Sequence, residues 1–239
     1  MDIILPEPGA SGEDETFERI WQIRDDIVRQ VWGQFNEVYV QRDTAAENGA
    51  YIYLTEIPPE AQAIPAQRWT YVTGGLSLPW TADLSEVNVD DYSVTNEQVT
   101  ATQLAAAAVQ GIDLSGQGFE VVLNTPDEAS WAVDLLHNLG TYVLSTGDGF
   151  ASGHRVPLNG PIIRDSDSEL QVLLFAPPSD RAPLFRLPSG FVQWLVAIGI
   201  TLDEWEYAQR EGSAALVAAL REHGVGDLTD PQRHSIFAG

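Results

Sequence analysis

The chain has 239 residues, of which 35 are acidic and 12 basic, and its formal net charge is −23. All 12 basic residues are Arg, because the sequence contains no Lys. The apolar share of 44% is ordinary for a folded globular protein. So acidic a chain lacks the clustered cations that bind nucleic-acid phosphates. The absence of Cys excludes disulfides, thiolate metal sites and a Cys nucleophile.

The sequence contains neither a signal peptide nor an apolar run long enough for a membrane-spanning helix. The N-terminal segment has no basic region and only a short apolar stretch, unlike a signal peptide. The best apolar run, residues 191–200, is about ten residues long, well below the roughly 18 of a membrane-spanning helix. We therefore expect a cytoplasmic protein without membrane contact.

The first half of the chain predicts one helix and two strands. Apolar residues at helical spacing predict an amphipathic helix over residues 14–32. Short runs of aromatic and β-branched residues predict strands at 51–57 and 69–73. Residues 81–118 are the least regular part, with a candidate Ala-rich helix at 103–110 and a loop at 111–118.

A strand at 119–123 is predicted to lead into a second helix. Thr125 is a candidate N-cap, Pro126 suits the first helical position, and Glu128 can complete a capping box. The stripe of apolar residues that we expect to be buried comprises Trp131, Leu135, Leu136, Leu139, Tyr142 and Val143.

The C-terminal part is predicted to contain two interior strands, at 170–175 and 191–198, and two helices. Thr201 and Glu204 form a capping box at the start of the first helix, and the second covers residues 213–223. No repeat and no long linker interrupts the chain. The prediction is one α+β domain over residues 1–239, with residues 1–13 flexible.

Acidic residues are concentrated in the middle of the chain, where no Lys or Arg lies between Arg68 and Arg155. Solubility or adaptation to salt explains such a stretch, and so does a face for a cationic partner. Trp80, which follows Pro79, is a candidate exposed anchor for such a partner. The acidic residues of this stretch are Asp83, Glu86, Asp90, Asp91, Glu97, Asp113, Glu120, Asp127, Glu128, Asp134 and Asp148.

Catalytic patterns are weak. Ser77 lies in Gly-Leu-Ser-Leu-Pro, which departs from the Gly-x-Ser-x-Gly of a hydrolase, and the four His have no metal-ligand spacing. His154 follows a Gly-rich loop in which Asp148 is placed to orient it. We expect His154 to hydrogen-bond this loop, with partner contact as the second interpretation and catalysis a distant third. No catalytic, metal or cofactor residue is predicted.

Several motifs occur in an order that resembles one family. In chain order they are Arg68-Trp-Thr-Tyr-Val-Thr-Gly-Gly-Leu-Ser77, Gly118-Phe-Glu-Val-Val-Leu123, Trp131-Ala-Val-Asp-Leu-Leu-His-Asn-Leu-Gly-Thr-Tyr-Val143, Gly153-His154, Leu187-Pro-Ser-Gly-Phe-Val-Gln-Trp194, Thr201-Leu-Asp-Glu204 and Ser235-Ile-Phe237. This order resembles the Suppressor of fused family, specifically its bacterial single-domain members.

The resemblance implies an α+β fold with a mixed β-sheet and flanking helices, and no catalytic activity. Animal members clamp a transcription-factor peptide between two lobes as an added strand, and the second lobe is not represented here. Animal members also carry an acidic residue before the His of this region, where this chain has Gly153 followed by His154-Arg155. Bacterial members look like immunity proteins that bind polymorphic toxins.

The functional prediction is a non-enzymatic immunity protein that neutralises a cationic toxin domain by direct binding, without cofactors. The alternative is a regulatory adaptor that binds an extended peptide of a transcription factor or another partner, and a hydrolase is a distant alternative. The predicted partner-binding residues are Trp80, Asp83, Glu86, Asp90, Asp91, Tyr142, Asp148 and His154.

Overall fold

The computed structural model describes residues 12–35, 37–41, 50, 52–80, 82–89 and 114–238. These residues contain four α-helices and eight β-strands. The helices are α1 (Gly12–Val31), α2 (Ser130–Thr146), α3 (Leu202–Glu211) and α4 (Ser213–Glu222). The strands are β1 (Glu37–Gln41), β2 (Ile52–Ile57), β3 (Trp69–Gly74), β4 (Leu114–Thr125), β5 (Arg155–Pro157), β6 (Val172–Ala176), β7 (Leu184–Leu187) and β8 (Gly190–Ile200).

The strands form one mixed sheet in the order β1-β2-β3-β4-β8-β6-β5, and β7 pairs with β8 beside this path. Neighbouring strands are antiparallel except β4 and β8, which run parallel. Among the described strands, β1 and β5 are therefore edge strands at the two ends of this order. A mixed sheet with flanking helices is the fold that the sequence predicts.

Helices cover both faces of the sheet. One core cluster joins α1, α3 and α4 to the sheet through Ile20, Ala208 and Leu216, and we call this the α1/α3 face. The other joins α2 to the opposite face through Leu136 and Val143, and we call this the α2 face. Because both faces are covered, an interior strand buries side chains on either side, which explains the apolar run from Trp194 to Ile198 in β8.

Two local predictions are wrong, for tertiary reasons. Helix α2 begins at Ser130 rather than at Pro126, because Thr125 is still paired with Trp69 at the end of β4. The Thr125 hydroxyl donates to the Asp127 carbonyl at 2.6 Å instead of capping a helix. Residues 114–118, predicted as a loop, belong to β4, whose pairing with β8 shifts in register between Leu114 and Phe119.

Other local predictions are confirmed. Helix α1 lies within two residues of its predicted limits, and the predicted strands 51–57 and 69–73 appear as β2 and β3. Thr201 and Glu204 form both hydrogen bonds of a capping box at the start of α3. The candidate helix at 103–110 and the N-terminal residues 1–11 lie outside the described residues.

Glu204 also anchors the C-terminal segment. Arg233 donates to both of its carboxylate oxygens, at 2.6 and 2.7 Å, and to the Gly199 carbonyl at 2.7 Å. The backbone N–H of Ile236 donates to Glu204 at 3.0 Å. One buried carboxylate thus holds the start of α3 and the last residues of the chain against the end of β8.

Candidate protein-binding cleft

A surface cleft of about 510 Å³ lies at the β5 edge of the sheet. It is bounded by the last turns of α2, the loop that follows α2, strand β5 and helix α3. The lining residues are Tyr142, Gly149, Phe150, Gly153, His154, Arg155, Val156, Trp205 and Gln209. Because α2 and α3 lie on opposite faces of the sheet, the cleft joins the two faces around the end strand.

The α2 side of the cleft is an aromatic stack. Tyr142, predicted as part of the buried stripe of α2, is instead 46% exposed, and its ring stacks on Phe150 at 6.0 Å between centroids. Phe150 in turn stacks on the buried Phe175 of β6 at 4.6 Å. The stack connects an exposed ring to the core, so Tyr142 is a firmly supported apolar surface rather than a free side chain.

Hydrogen bonds hold the floor of the cleft in place. The N–H of Gly153 donates to the Phe175 carbonyl at 2.7 Å, and the Phe175 N–H donates to the His154 carbonyl at 3.0 Å. The Ser213 hydroxyl donates to the Gly153 carbonyl at 2.7 Å. Gly153 has a φ of 88°, a left-handed conformation that favours glycine. The loop is therefore attached to β6 and to the first residue of α4.

The outer edge of β5 has backbone groups without a strand partner among the described residues. The His154 carbonyl accepts from Phe175 of β6, and Val156 lies directly opposite Leu173. The Leu158 N–H donates to the carbonyl of Gln171, the residue before β6. Antiparallel pairing alternates, so the N–H and C=O of Arg155 and the C=O of Pro157 point away from β6. Pro157 has no N–H to offer. This edge can pair with only a short length of another extended chain.

The structure brings together some of the predicted site residues and separates others. Tyr142 and His154 line the cleft. Asp148 is exposed in the same loop, but it is not a lining residue and makes no hydrogen bond to His154 among the described residues. The backbone N–H of His154 donates to the Ala151 carbonyl at 3.0 Å, a bond within the loop that does not involve the imidazole.

Trp80 is not the exposed anchor that the sequence predicts. Its ring is partly buried on the α1/α3 face, 5.0 Å from Phe17 and 6.1 Å from Trp21. Its Nε1 donates to the Gly75 carbonyl at 2.6 Å. The α1 helix packs over the turn that follows β3, and this packing could not be read from the Pro79-Trp80 sequence.

The acidic stretch is mostly exposed where the structure describes it. Asp83 and Glu86 are exposed near Trp80, away from the cleft, and hydrogen bonds from Ser85 lower the pKa of Asp83. Asp90 and Asp91 lie outside the described residues. Glu120, which the sequence groups with the acidic stretch, is completely buried and contributes nothing to an acidic face.

Glu120 belongs instead to a buried polar cluster under α1. It accepts hydrogen bonds from Ser77 N at 2.9 Å, Ser77 Oγ at 2.5 Å and Thr73 Oγ1 at 2.6 Å. Burial raises the pKa of Glu120, while Arg24 and these donors act in the opposite direction. Ser77 is fully enclosed and donates its hydroxyl to this carboxylate, so no substrate can reach Oγ. The cluster is structural.

Sequence reasoning missed the other seven lining residues, among them Phe150, Arg155, Trp205 and Gln209. One of them carries a signal that is visible in the sequence. Arg155 is the first Lys or Arg after Arg68, so it is a cation at the end of a long acidic stretch. Within the described part of the chain, no three His, Asp or Glu side chains group as metal ligands. In that same part, no helix is both long and apolar enough to cross a membrane.

The mixed sheet with helices on both faces defines an α+β protein, and the cleft at its β5 edge is a candidate surface for contact with another chain. The family model named Suppressor of fused protein matches residues 60–234, which is more than half of the sequence. The chain therefore belongs to the Suppressor of fused family. No curated protein matches the sequence.

Solved structures share the fold at low sequence identity. The chain in the structure described as the Sufu-Fu complex is 20% identical, with a TM-score of 0.59 over 95% of this chain and 92% of that one. Drosophila Suppressor of Fused is 23% identical with a TM-score of 0.55, over 78% of this chain but only 43% of that protein. A homologue from Neisseria gonorrhoeae is 14% identical, with a TM-score of 0.55 over 92% and 96% of the two chains.

Proposed function

We propose that this chain is a non-enzymatic protein-binding module that holds an extended segment of a partner protein in the edge cleft. The observation that carries the proposal is the coincidence of three features at one place. A strand edge without a partner among the described residues, a supported aromatic stack and a cavity of about 510 Å³ meet at β5. Extended peptides bind at sheet edges by combining backbone pairing with pockets for alternate side chains.

The short edge sets how the segment is held. Arg155 offers one N–H and one C=O, and Pro157 only a C=O, so backbone pairing spans one or two residues. Most of the affinity must then come from side chains in the cleft. Tyr142 is the best candidate anchor, because its exposed ring rests on Phe150 and loses little freedom on binding.

A second, more specific role concerns the identity of the partner. The net charge of −23, with exposed acidic residues at Asp83, Glu86, Asp127, Glu128 and Asp134, favours association with a cationic protein. We propose a toxin domain neutralised by direct binding in the cytoplasm, as an immunity protein acts. The edge cleft would then anchor the complex, and the acidic surface would accelerate encounter.

A library of short random peptides, displayed and selected on the immobilised protein, tests the binding proposal. We expect enrichment of peptides that no longer bind when Tyr142→Ala removes the ring. Ser145→Ala is the matched control, because Ser145 is exposed on the same helix and does not line the cleft. Enriched peptides that bind Tyr142→Ala as well as the wild type, or a failure to enrich any, would overturn the proposal.

A further inference from the structure

Arg155 contributes a cationic group to the α3 side of the cleft. In β5, Val156 packs on the α2 face, and its cross-strand partner Leu173 belongs to the same core cluster. Arg155 is opposite Leu174, which belongs to the cluster on the other face. Because successive side chains of a strand point to opposite faces, the Arg155 side chain projects toward α3, where Trp205 and Gln209 complete the wall.

The Arg155 guanidinium is not satisfied within the described part of the chain. Its Nη1 is buried, yet no described residue accepts a hydrogen bond from it, and no described carboxylate lies within ion-pair distance of its side chain. A buried donor without an acceptor is costly, and more so when it is charged. By contrast, Arg24, Arg68, Arg181 and Arg233 each pair with a carboxylate.

The lining residues include no carboxylate to neutralise Arg155. Asp148 precedes the lining residue Gly149, but its side chain is exposed outside the cleft. In a chain with a net charge of −23, the cleft is therefore a local site for an anion. Because Nη1 is enclosed, a carboxylate in the cleft can reach only the Nε/Nη2 edge of the guanidinium, and this edge still allows two parallel N–H···O bonds.

We infer that the segment held in this cleft carries an Asp or Glu that pairs with Arg155, next to an aromatic or large apolar residue that packs on Tyr142. The inference rests on the proposed function and names the chemistry of its partner. In an extended segment, neighbouring side chains point to opposite faces. An acidic residue directed to the Arg155 side places the adjacent residue on the side of Tyr142 and Phe150. The recognised feature is thus a dipeptide, one acidic and one apolar residue.

The net negative charge of the protein does not prevent this pairing. At physiological ionic strength the Debye length is about 8 Å, so exposed acidic residues farther away are largely screened. The guanidinium in the partly enclosed cleft is screened less and acts at contact distance. A cationic toxin domain can present such an acidic segment, since steering depends on the overall charge and anchoring on local contacts.

The composition of the peptides selected for Tyr142-dependent binding tests the inference. We expect Asp or Glu next to an aromatic or apolar residue. For one such peptide, replacing its acidic residue by the corresponding amide should weaken binding about tenfold. Arg155→Glu should weaken binding of the acidic peptide by at least as much, while Arg164→Glu should change it less than twofold. Arg164 is exposed outside the cleft, so the control makes the same change in net charge.

The outcomes separate this inference from the proposed function. Peptides that depend on Tyr142 but contain no acidic residue, or that bind Arg155→Glu and Arg164→Glu equally, would overturn the inference and leave the binding module standing. A selection without any Tyr142-dependent peptide would remove both. Circular dichroism of Arg155→Glu checks that its fold is intact, and Arg155→Lys should retain part of the affinity because it keeps the charge without the planar fork.

Discussion

Arg24 of α1 and Glu120 of β4 form a completely buried ion pair, with 3.9 Å between Arg24 Nε and Glu120 Oε1. Arg24 also donates to the Thr73 carbonyl and, at 2.9 Å, to Asp25. These contacts connect α1 to the two central strands β3 and β4. Taking two charges out of water is expensive. Hydrogen bonds satisfy the Glu120 carboxylate and both terminal nitrogens of Arg24, whereas Arg24 Nε has no acceptor among the described residues.

Breaking this pair should strongly destabilise the fold. Arg24→Met leaves Glu120 buried without its cation, and we expect the free energy of unfolding to fall by about 3–5 kcal/mol. The double variant Arg24→Met/Glu120→Leu should be more stable than the sum of the single changes, because no charge remains buried alone. Urea unfolding followed by circular dichroism measures all three variants.

Arg29→Met is the matched control for the buried pair. Arg29 lies on the same helix and pairs with Asp26 at 3.0 Å, but it is only partly buried, with its guanidinium 4.5 Å from the centre of the Phe35 ring. Its loss should cost under about 1 kcal/mol. Equal costs for Arg24→Met and Arg29→Met would contradict the structural role of the buried pair. The wild-type curve also bears on the one-domain prediction, since two separated transitions would count against it.

Asp180 should make stability depend on acid pH. Hydrogen bonds from Arg181, with further attraction from Arg68, lower the pKa of Asp180 to about 2 although partial burial acts in the opposite direction. Its ordinary value is 3.8, so the stabilising contribution is complete above about pH 4 and is lost as the pH falls toward 2. Because the group is partly exposed, we expect Asp180→Asn to cost only about 1 kcal/mol at neutral pH.

Thermal unfolding of Asp180→Asn and the wild type across this pH range measures the effect. The difference between the two proteins should shrink as the pH approaches 2, where the wild-type carboxyl is also becoming neutral. Asp167→Asn is the control, because Asp167 is exposed and has no ion pair in the described part of the chain. A difference that stays constant from neutral pH to pH 2 would show that Asp180 does not act through its charge.

Gly140 permits the close approach of α2 to β2. A Cβ at this position would lie 2.6 Å from Cγ1 of the buried Ile52. Alanine is favoured over glycine in a helix by up to about 1 kcal/mol, but overpacking a tight core costs about 1–3 kcal/mol. We therefore expect Gly140→Ala to lower the free energy of unfolding by about 1–2 kcal/mol.

Introducing Gly140→Ala into the Ile52→Ala variant tests whether steric contact with Ile52 causes the destabilisation. Ile52→Ala removes the atoms that a new Cβ would meet, so Gly140→Ala should be neutral or stabilising in that variant. Chemical denaturation of the four proteins gives the coupling free energy directly. If Gly140→Ala destabilises both backgrounds equally, the helix is not limited by contact with Ile52.

The acidic surface should control the rate of encounter with a cationic toxin encoded beside the gene. Reversing Asp83 and Glu86, with Asp90 and Asp91, to Arg should lower the association rate about tenfold or more at low salt. The effect should shrink toward 1 M salt, where screening acts over about 3 Å. Dissociation should change less, because packed contacts hold the complex. Stopped-flow mixing measures both rates.

A second pair of charge reversals tests whether the location of the acidic residues, and not only the net charge, controls the association rate. Asp83→Arg/Glu86→Arg and Asp167→Arg/Glu222→Arg change the net charge equally, all four side chains are exposed, and none of them lines the cleft. The first pair should slow association more than the second. Equal rates for the two double variants would assign the acidic stretch to general solubility.

The sequence by itself determined the features that depend on near neighbours. The spacing of apolar residues predicted α1, and the short, largely apolar run at residues 191–198 predicted β8, which is covered on both faces. The Thr201–Glu204 capping box was also readable, because both of its hydrogen bonds join residues three positions apart. Motif order added the family, since the relevant stretches occur in sequence regardless of how they pack.

Only the tertiary structure decided which polar side chains are buried and which meet at the cleft. The capping motif gave no sign that Glu204 also binds Arg233, and the acidic stretch gave no sign that Glu120 turns inward to Arg24. The cleft joins Tyr142, Arg155 and Trp205 because α2 and α3 lie on opposite faces of the sheet and β5 is its last strand. The order of the strands in the sheet determines which side chains come together at the cleft. This order depends on pairing between strands far apart in the sequence, which local sequence patterns do not reveal.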